Sequence, residues 1–434
     1  MGFSLRLALP SNRPFRAAQA KSTVFLIGTV NSSEFHVNHR KQTTAPRSNR
    51  DKFQPLFAPP SPHPTISCIL DLSVRGIRYL RDAIVLSGWN WETFNVPERI
   101  ALAFAHLGAK VLYCENPVSR FRSRGRALEE IESGIHRLRP EFFGHRLNRI
   151  AFGFPRLQAR MVANQILRSA LSLGLEKPLV IYPHGDFFVP LCREFKRRGF
   201  SLVHICMDYP EPGQETHIEL SDMTLVIPKS VYHELRTKFG DKMHLIPQVT
   251  RRFSPDCQIA DDAPVTDEFA TIPRPRLGYL GPVTNRLNLP VLEELLKARP
   301  DWHFVHFGEP KCLPLPNVHA ISWRPPEKLK DVIANLDVGF MPYDCSNNRD
   351  FHCMPLKLFD YFSIGLPVAS TPIVNLQEFS DIIYFGDDAG KLACAVQSAL
   401  DEPTASQRKL KRIGIAQEHS IEGLSKVLKH LLPL

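Results

Sequence analysis

The sequence predicts an α/β protein with two Rossmann-like, doubly wound domains that face a central cleft. Short apolar runs alternate with stretches of helical periodicity, first over residues 83–246 and again over residues 276–400. Such alternation is typical of parallel sheets covered by helices. A polar, proline-containing stretch without periodicity, residues 251–274, separates the two series and is the natural hinge.

The length of 434 residues is sufficient for two ordinary domains and a tail. We predict a basic tail over residues 1–78, an N-terminal domain over 79–272 and a C-terminal domain over 273–406. Residues 1–65 contain nine Lys or Arg against two acidic residues and are rich in Ser, Asn, Thr and Pro. This composition is typical of disordered chain, and we assign the tail no function.

Composition excludes several classes of protein. The chain has no run of 18 apolar residues, so we expect no membrane-spanning helix. Its nine cysteines are scattered without a C-x-x-C pattern, which argues against a disulfide framework and a zinc site. Free cysteines suit a reducing compartment, and we therefore expect a cytoplasmic protein.

The first series opens with a βαβ pattern. Residues 83–87 form a buried-strand run, and Asn95 with Glu98 forms a capping box at the start of a helix. That helix should end at Gly108, ahead of a second strand over residues 110–114. The pattern predicts a parallel sheet whose ligand edge lies at the carboxyl ends of its strands.

Polar side chains follow the next two predicted strands, residues 178–182 and 202–206. His184 and Asp186 come after the first of them, and Asp208 after the second. They therefore fall at the ligand edge of the predicted sheet. A single histidine at this position is more often structural than catalytic, and both interpretations of His184 stay open.

Residues 119–168 hold eleven arginines against four acidic residues, with Phe and Leu interleaved. One interpretation is a solvated helical face. The other is a basic amphipathic surface that docks on anionic lipid or captures a phosphate-bearing acceptor. Nucleic acid is a weaker partner because no recognised nucleic-acid module accompanies the charge, and we predict none.

The second series begins with a strand over residues 276–280, followed by Gly281. A glycine directly after a strand lets backbone N–H groups approach a phosphate, and Arg286 lies five residues further on. Asn285 belongs to the same turn, and Gly308 follows the strand over residues 303–307. We include all four among the candidate nucleotide-binding residues.

Residues 352–371 predict a loop, a short helix and a strand. Pro355 suits the start of the helix and Gly365 its end. Lys357 and Asp360 are three residues apart on one face near the helix start. A cation and a carboxylate there can hold a phosphate and a ribose. An ordinary surface ion pair is the alternative.

The run Pro-Leu-Lys-Leu-Phe-Asp-Tyr-Phe-Ser-Ile-Gly-Leu-Pro-Val-Ala-Ser-Thr at residues 355–371 closely resembles the donor-nucleotide segment of retaining GT-B glycosyltransferases of group 1, the GT4-like family. Asp-Val-Gly-Phe-Met-Pro-Tyr at residues 337–343 is similar to a strand of that family. The resemblance covers roughly residues 82–434 and is most specific across 276–372. It implies GT-B architecture, with a closing C-terminal helix in residues 407–434 that packs back towards the N-terminal domain.

The family carries a Glu-x7-Glu pair on the helix that corresponds to this segment. The resemblance places Asp360 at the second position, which holds the ribose hydroxyls, and His352 at the first, which lies near the donor sugar. His184 is the nearest match to a histidine that touches the donor sugar. The predicted catalytic residues are Arg286, Lys357, His184 and His352. The predicted donor-binding residues are Gly281, Asn285, Arg286, Gly308, Pro355, Leu356, Lys357 and Asp360.

The resemblance implies transfer of a sugar from a nucleotide diphosphate sugar to an acceptor hydroxyl, with retention of configuration. The basic first domain indicates a glycan or lipid-linked acceptor, a role in cell-surface polysaccharide or glycolipid synthesis, and peripheral contact with the inner face of the membrane through residues 119–168. The nucleotide sugar is a substrate, so no resident cofactor is expected. We predict metal independence because Arg286 and Lys357 can neutralise the diphosphate and no Asp-x-Asp follows a strand.

The sequence allows two other functions. Because His352 replaces a glutamate, the chain could be a non-catalytic nucleotide-sugar-binding or scaffolding protein with a degenerate GT-B site. A sugar-nucleotide epimerase of similar architecture is disfavoured by the pattern from the linker to the closing helix.

Overall fold

A computed structural model describes residues 82–91, 93, 95–119, 121, 126–143, 154–250, 267–282, 285–308, 311–323 and 329–432. All of them belong to one compact unit. The predicted tail, residues 1–78, and residues 251–266 of the predicted hinge lie outside the described residues. Along the described chain, none of the helices combines the length and apolar character needed to cross a bilayer.

Within the described residues, eight strands form the first sheet, in the order β10-β9-β8-β7-β1-β2-β5-β4. Every neighbouring pair is parallel except β4 and β5. A separate parallel pair is formed by β3 and β6. The strands are β1 (Ala83–Leu86), β2 (Val111–Cys114), β3 (Val118–Ser119), β4 (Arg126–Glu132), β5 (Ile135–Arg139), β6 (Glu141–Phe142), β7 (Leu179–Pro183), β8 (Leu202–Cys206), β9 (Met223–Val226) and β10 (Met243–Leu245).

The helices of the first half are α1 (Val96–His106), α2 (Phe154–Ser172), α3 (Phe188–Arg197), α4 (Glu215–Leu220) and α5 (Lys229–Phe239). The predicted cap of α1 is present, because the Asn95 side chain accepts a hydrogen bond from the Glu98 backbone N–H at 3.1 Å. Gly108 follows the helix with a φ of 83°, a conformation that glycine adopts without strain.

The helical interpretation of residues 119–168 was wrong for its first half. Strands β4 and β5 form an antiparallel hairpin there, and Gly134 in the turn has a φ of 77°. Ser-Gly at residues 133–134 is a turn signal, and β5 adds to the sheet beside β2. In the described part of this segment, only α2 is helical.

Six described strands form the second sheet, all parallel, in the order β13-β12-β11-β14-β15-β16. They are β11 (Arg276–Pro282), β12 (His303–Phe307), β13 (Val318–Ile321), β14 (Val338–Met341), β15 (Val368–Ser370) and β16 (Ile383–Phe385). Their helices are α6 (Asp267–Ala270), α7 (Leu289–Ala298), α8 (Leu329–Ala334), α9 (Asn348–Phe351), α10 (Leu356–Phe362) and α11 (Ala389–Leu400).

The chain closes with two helices, α12 (Gln407–Glu418) and α13 (Ile421–Leu431). The break lies at His419, whose ring stacks on Phe359 of α10 with 3.9 Å between centroids. Beyond it, α13 packs on α1 of the first half, where Ser425 Oγ donates to the Ala103 carbonyl at 3.2 Å. The C-terminus therefore joins both halves of the molecule.

Candidate functional site

The strand order of the second sheet defines where a ligand would bind. From β11 the chain builds outward through β12 and β13, and then returns to place β14 on the other side of β11. Connections that leave neighbouring strands in opposite directions open a crevice at the carboxyl edge of the sheet. The residues at the end of β11 and those that follow β11 and β14 therefore form the candidate site.

The two chain segments at this crevice are tied together. Leu287 and Tyr343 form an isolated antiparallel bridge, and the Asp344 backbone N–H donates to the Arg286 carbonyl at 2.7 Å. These bonds hold the predicted phosphate-binding turn against the end of β14. The backbone that carries Arg286 is thus fixed before any ligand arrives.

Lys357 points its ammonium group into this crevice. Its Nζ donates to the Tyr343 hydroxyl at 3.1 Å and lies 3.5 Å from the centroid of the Tyr279 ring. Burial lowers the pKa of Lys357, and the neighbouring Tyr279 acts in the opposite direction. An ammonium that is held over an aromatic face and is partly desolvated can bind an anion, which is a stronger partner than the ring.

Gly281 passes directly beside that ammonium. Its φ of 151° favours glycine, and a Cβ added there would lie 3.4 Å from Lys357 Nζ. The structure therefore brings Gly281 and Lys357 together, although the sequence predicts them in separate segments. Backbone and cation could both contact one phosphate at this point.

Arg286 lies between the two halves of the molecule. Its Nη2 is 3.2 Å from Asp208 Oδ2, just after β8 of the first sheet, and its Nε is 3.3 Å from Asp350 Oδ1. Burial alone lowers the pKa of Arg286, but the Asp208 and Asp350 carboxylates raise it above its ordinary value. The guanidinium is thus firmly charged, and a diphosphate would displace or join these carboxylates.

His184 follows β7 and is half-buried at the carboxyl edge of the first sheet. Burial lowers the pKa of its imidazole, although the carboxylates of Asp208 and Glu211 act to raise it. His184 and Arg286 therefore share Asp208 as a charged neighbour. The structure leaves both the structural and the donor-sugar interpretation of His184 open.

His352 contacts the first half of the molecule. Its Nδ1 lies 2.8 Å from Ser230 Oγ at the start of α5, and Asn375 Nδ2 donates to both Ser230 Oγ at 2.9 Å and the His352 carbonyl at 2.7 Å. Burial lowers the pKa of His352, although the carboxylate of Glu234 acts to raise it. One ring nitrogen of His352 is thus engaged across the cleft.

Asp360 is buried, and its Oδ1 accepts a hydrogen bond from Thr250 Oγ1 at 3.0 Å. Thr250 is in turn held by its backbone N–H, which donates to the His419 carbonyl at 2.8 Å. A ribose hydroxyl would compete with Thr250 for this carboxylate. The predicted ribose role of Asp360 remains a prediction.

The remaining predicted residues are dispersed around the crevice. Pro355 is buried and forms the N-cap position of α10, next to the half-buried Leu356. Asn285 is exposed, with its Oδ1 3.5 Å from Arg349 Nη2. Gly308 follows β12 with a φ of 85° and lines a pocket of about 500 Å³, whose wall does not include Lys357 or Arg286.

Four neighbours of the cations were not among the predicted catalytic or donor-binding residues: Asp208, Tyr279, Tyr343 and Asp350. Tyr343 lies just past the end of β14, which is a usable signal for a ligand edge, whereas Tyr279 lies within the adjacent strand β11. Asp350 is marked by a capping pattern, because Asn347 Oδ1 accepts from its N–H and Asn347 Nδ2 donates to its carboxylate, each at 2.9 Å. No group of three His, Cys, Asp or Glu side chains suited to a metal ion occurs in the described chain.

Two stacked histidines lie beneath the carboxyl edge of the first sheet. His204 on β8 and His217 on α4 have ring centroids 5.5 Å apart, and no described residue bonds to either ring nitrogen of His204. Burial lowers the pKa of His217 to about 4, with His184 adding to the effect and Asp186 opposing it. Burial also puts the pKa of His204 well below its ordinary value, helped by His217, His184 and Lys242.

We expect this pair to make the fold acid-sensitive. Both histidines are neutral when folded and titrate near pH 6.5 when unfolded, so only the unfolded chain gains protons as the pH falls below about 6.5. Each such histidine lowers the unfolding free energy by up to about 1.4 kcal/mol per pH unit there. Urea unfolding between pH 7.5 and 5 should show the loss, and His204→Phe should show a shallower slope. Equal slopes in both proteins would contradict this account.

Comparison with known proteins identifies the fold of the chain and one partial sequence relative. No family model matches the chain. Over 106 residues, 22% of the chain, it is 31% identical to the putative teichuronic acid biosynthesis glycosyltransferase TuaH of Bacillus subtilis strain 168, and the match spans about a quarter (26%) of that protein's length.

Solved structures match over most of the chain. A trehalose-phosphate synthase of Burkholderia xenovorans in complex with glucose-6-phosphate gives a TM-score of 0.59 at 11% identity, covering 81% of this chain and 100% of that one. Sucrose-phosphate synthase of Thermosynechococcus elongatus gives 0.57 at 14% identity, covering 81% and 98%. An Escherichia coli structure described as trehalose-6-phosphate bound with UDP-2-fluoro glucose gives 0.58 at 12% identity, covering 81% and 98%. The chain therefore has the GT-B fold, and the predicted architecture is confirmed.

Proposed function

We propose that this protein is a glycosyltransferase that moves a sugar from a nucleotide diphosphate sugar to an acceptor hydroxyl, with retention of configuration. The main support for the proposal is that Gly281, Arg286 and Lys357 lie at the crevice of the second sheet, the point where the connections leave β11 and β14 in opposite directions. The GT-B fold and the partial likeness to a glycosyltransferase support the same reaction class.

The chemistry requires charge stabilisation at the leaving group. The bond between the anomeric carbon and the diphosphate oxygen breaks, the sugar becomes oxocarbenium-like, and negative charge accumulates on the diphosphate. Lys357 and Arg286 would neutralise that charge from fixed positions, which lowers the barrier without reorganisation during the reaction. Two protein cations at the leaving group also support the proposal that the reaction needs no metal ion.

The two histidines are proposed to act on the donor sugar. His184 lies near Asp208, which pairs with Arg286, and His352 contacts Ser230 of the first half. Because its pKa is lowered, His352 is neutral near pH 7 and would offer a hydrogen bond rather than a positive charge. That differs from the carboxylate that the GT4-like family places here.

The proposed acceptor is a glycan or a lipid-linked sugar of cell-surface polysaccharide or glycolipid synthesis. The name of the Bacillus subtilis relative, which refers to teichuronic acid, supports this class. Such acceptors carry hydroxyls and often phosphate, and the cationic first half of the molecule suits them. We propose that the protein acts in the cytoplasm, at the inner face of the membrane.

The alternative is a nucleotide-sugar-binding or scaffolding protein without turnover. The bond between His352 and Ser230 favours it, because that bond engages the side chain expected to face the donor sugar. Incubation with UDP-, GDP- and ADP-sugars and short glycan acceptors distinguishes the two. Release of nucleoside diphosphate with a retained anomeric centre, seen by NMR, is the expected result. Donor binding with no turnover across the panel would favour the alternative.

Asp360→Ala should weaken nucleotide diphosphate binding about tenfold or more, because a ribose hydrogen bond to a charged group is worth roughly 1.5–3 kcal/mol. Thr250→Val is the matched variant. It removes the competing hydroxyl and should leave affinity unchanged or improve it. Isothermal titration with the preferred nucleoside diphosphate measures both. Equal losses in the two variants would show that the Thr250–Asp360 bond supports the fold and not the ribose.

A further inference from the structure

Helices α2 and α3 lie side by side on the first sheet and expose a common outer face. Arg198, next to the end of α3, donates to Asn164 Oδ1 on α2 at 2.8 Å, and Arg160 Nε lies 3.9 Å from Glu194 Oε1. Both helices start at the carboxyl edge of the sheet and run in the same direction. Their contacts therefore follow one another in the same order along the two helices. We call this outer face the α2–α3 surface.

The exposed stripe of α2 mixes apolar and cationic side chains. Its members follow one another at spacings of three or four residues and therefore share one helix face. Leu157 is 52% exposed and Leu171 is 69% exposed, although leucine is usually buried. The stripe consists of Leu157, Arg160, Asn164, Arg168 and Leu171, with Arg156 beside it.

The charge of this surface is almost entirely positive. Helix α2 contains no acidic residue. The single acid of α3, Glu194, is buried and is held by Arg197 at 2.8 Å and Arg198 at 2.6 Å. Arg193 is also exposed on α3. The outward face therefore presents cations without exposed carboxylates from either helix.

An exposed aromatic side chain extends the surface. Phe121 is 73% exposed and its ring contacts Phe143, with 6.1 Å between centroids. Phe143 directly follows β6, which is fastened to α2 because Gln165 bonds both the N–H and the carbonyl of Glu141, at 2.9 and 2.7 Å. Phe121 thus adds a large apolar group on the α2 side.

From these contacts we propose that the α2–α3 surface docks on a membrane rich in anionic lipid. Cations attract the lipid phosphates, and exposed leucine and phenylalanine side chains enter the boundary with the acyl chains. Duplex nucleic acid would engage the arginines but would leave these apolar side chains in water. The combination matches a lipid surface in both charge and polarity.

Membrane docking would bring a lipid-linked acceptor to the proposed active site. Only this consequence rests on the proposed function. Helix α3 begins shortly after His184, so the α2–α3 surface borders the cleft edge of the first sheet. A lipid-linked acceptor could then present its sugar to the cleft without leaving the bilayer. Membrane binding itself does not require turnover, so each claim can fail alone.

The test is sedimentation of the full chain with vesicles of phosphatidylcholine alone or with one third phosphatidylglycerol. We expect binding only to the anionic vesicles, and weaker binding in high salt. Arg156→Glu/Arg168→Glu should reduce partitioning more than about twentyfold, since each cation near an anionic surface contributes roughly fivefold. Leu157→Ser/Leu171→Ser, which keeps the charge, should also reduce it.

Lys426→Glu/Lys429→Glu on α13 is the matched control, with the same charge change on two exposed lysines. It should bind like wild type. No binding by wild type, retained binding by the arginine variant, equal loss in the lysine control, or tighter binding to duplex DNA than to the anionic vesicles would each overturn the proposal. Thermal stability and the response to nucleoside diphosphate show that the variants are folded, and they report the proposed function separately.

Discussion

Lys357→Met is expected to lower turnover about a hundredfold to a thousandfold, the usual effect of removing one fixed charge-stabilising group from an active site. The structure gives the reason, because Lys357 Nζ lies beside Gly281 and over Tyr279 at the switch point. Methionine preserves the length of the side chain and its contact with the aromatic ring. Initial rates at saturating donor measure the effect on kcat.

Lys297→Met is the control for that substitution. Lys297 is exposed on α7 and pairs with Glu293 at 2.7 Å, so its loss should leave turnover unchanged. Arg286→Met should lower turnover to a similar extent as Lys357→Met. If Lys357→Met keeps wild-type kcat, the ammonium does not stabilise the leaving group and this site assignment is wrong.

Arg412→Met is expected to lower the unfolding free energy by about 3–5 kcal/mol, because it leaves the buried carboxylate of Glu402 without its cation. The Arg412 side chain is 0% exposed on α12, and its Nη1 donates to Glu402 Oε2 at 3.0 Å. The same guanidinium donates to the carbonyls of Gly365 at 3.0 Å and Ile382 at 3.1 Å. Urea unfolding at pH 7 measures the loss.

The neighbouring residue supplies the control for this stability prediction. Lys411 also forms an ion pair, with Asp381, but both side chains are about half exposed. Lys411→Ala should therefore cost less than about 1 kcal/mol. Comparable losses in the two variants would mean that burial of the Arg412 pair does not matter to the fold.

Most elements of the second sheet were predictable from the sequence, because their strands are short apolar runs and β12, β14 and β16 are followed directly by a glycine or a proline. It was insufficient for the hairpin of β4 and β5, where charged side chains obscure the strand pattern. It also predicted one closing helix where there are two. Ser420 caps α13 by accepting from the Gly423 N–H at 3.1 Å, and a Cβ at Gly423 would collide with the Glu418 carbonyl.

The candidate site was partly predictable for a similar reason. Gly281, Arg286 and Lys357 stand at local signals, a turn after a strand and the start of a helix. Their partners are set by strand order, which places β14 beside β11 and the end of β8 opposite Arg286. No local pattern announces the contact of Asp208 with Arg286 or that of Thr250 with Asp360, since both depend on how the two halves meet.

We propose that the crevice between β11 and β14 binds the diphosphate of a nucleotide sugar. The most direct test is a thermal shift measurement with UDP, GDP and ADP beside UMP, GMP and AMP, with and without EDTA. A ligand at a hundred times its Kd should stabilise the protein by about 2.7 kcal/mol. We expect one diphosphate to stabilise the protein and its monophosphate to stabilise it little. The stabilisation should be lost in Lys357→Met and should not change with EDTA. Equal responses to the diphosphate and the monophosphate, or no response to any nucleotide, would contradict the proposal.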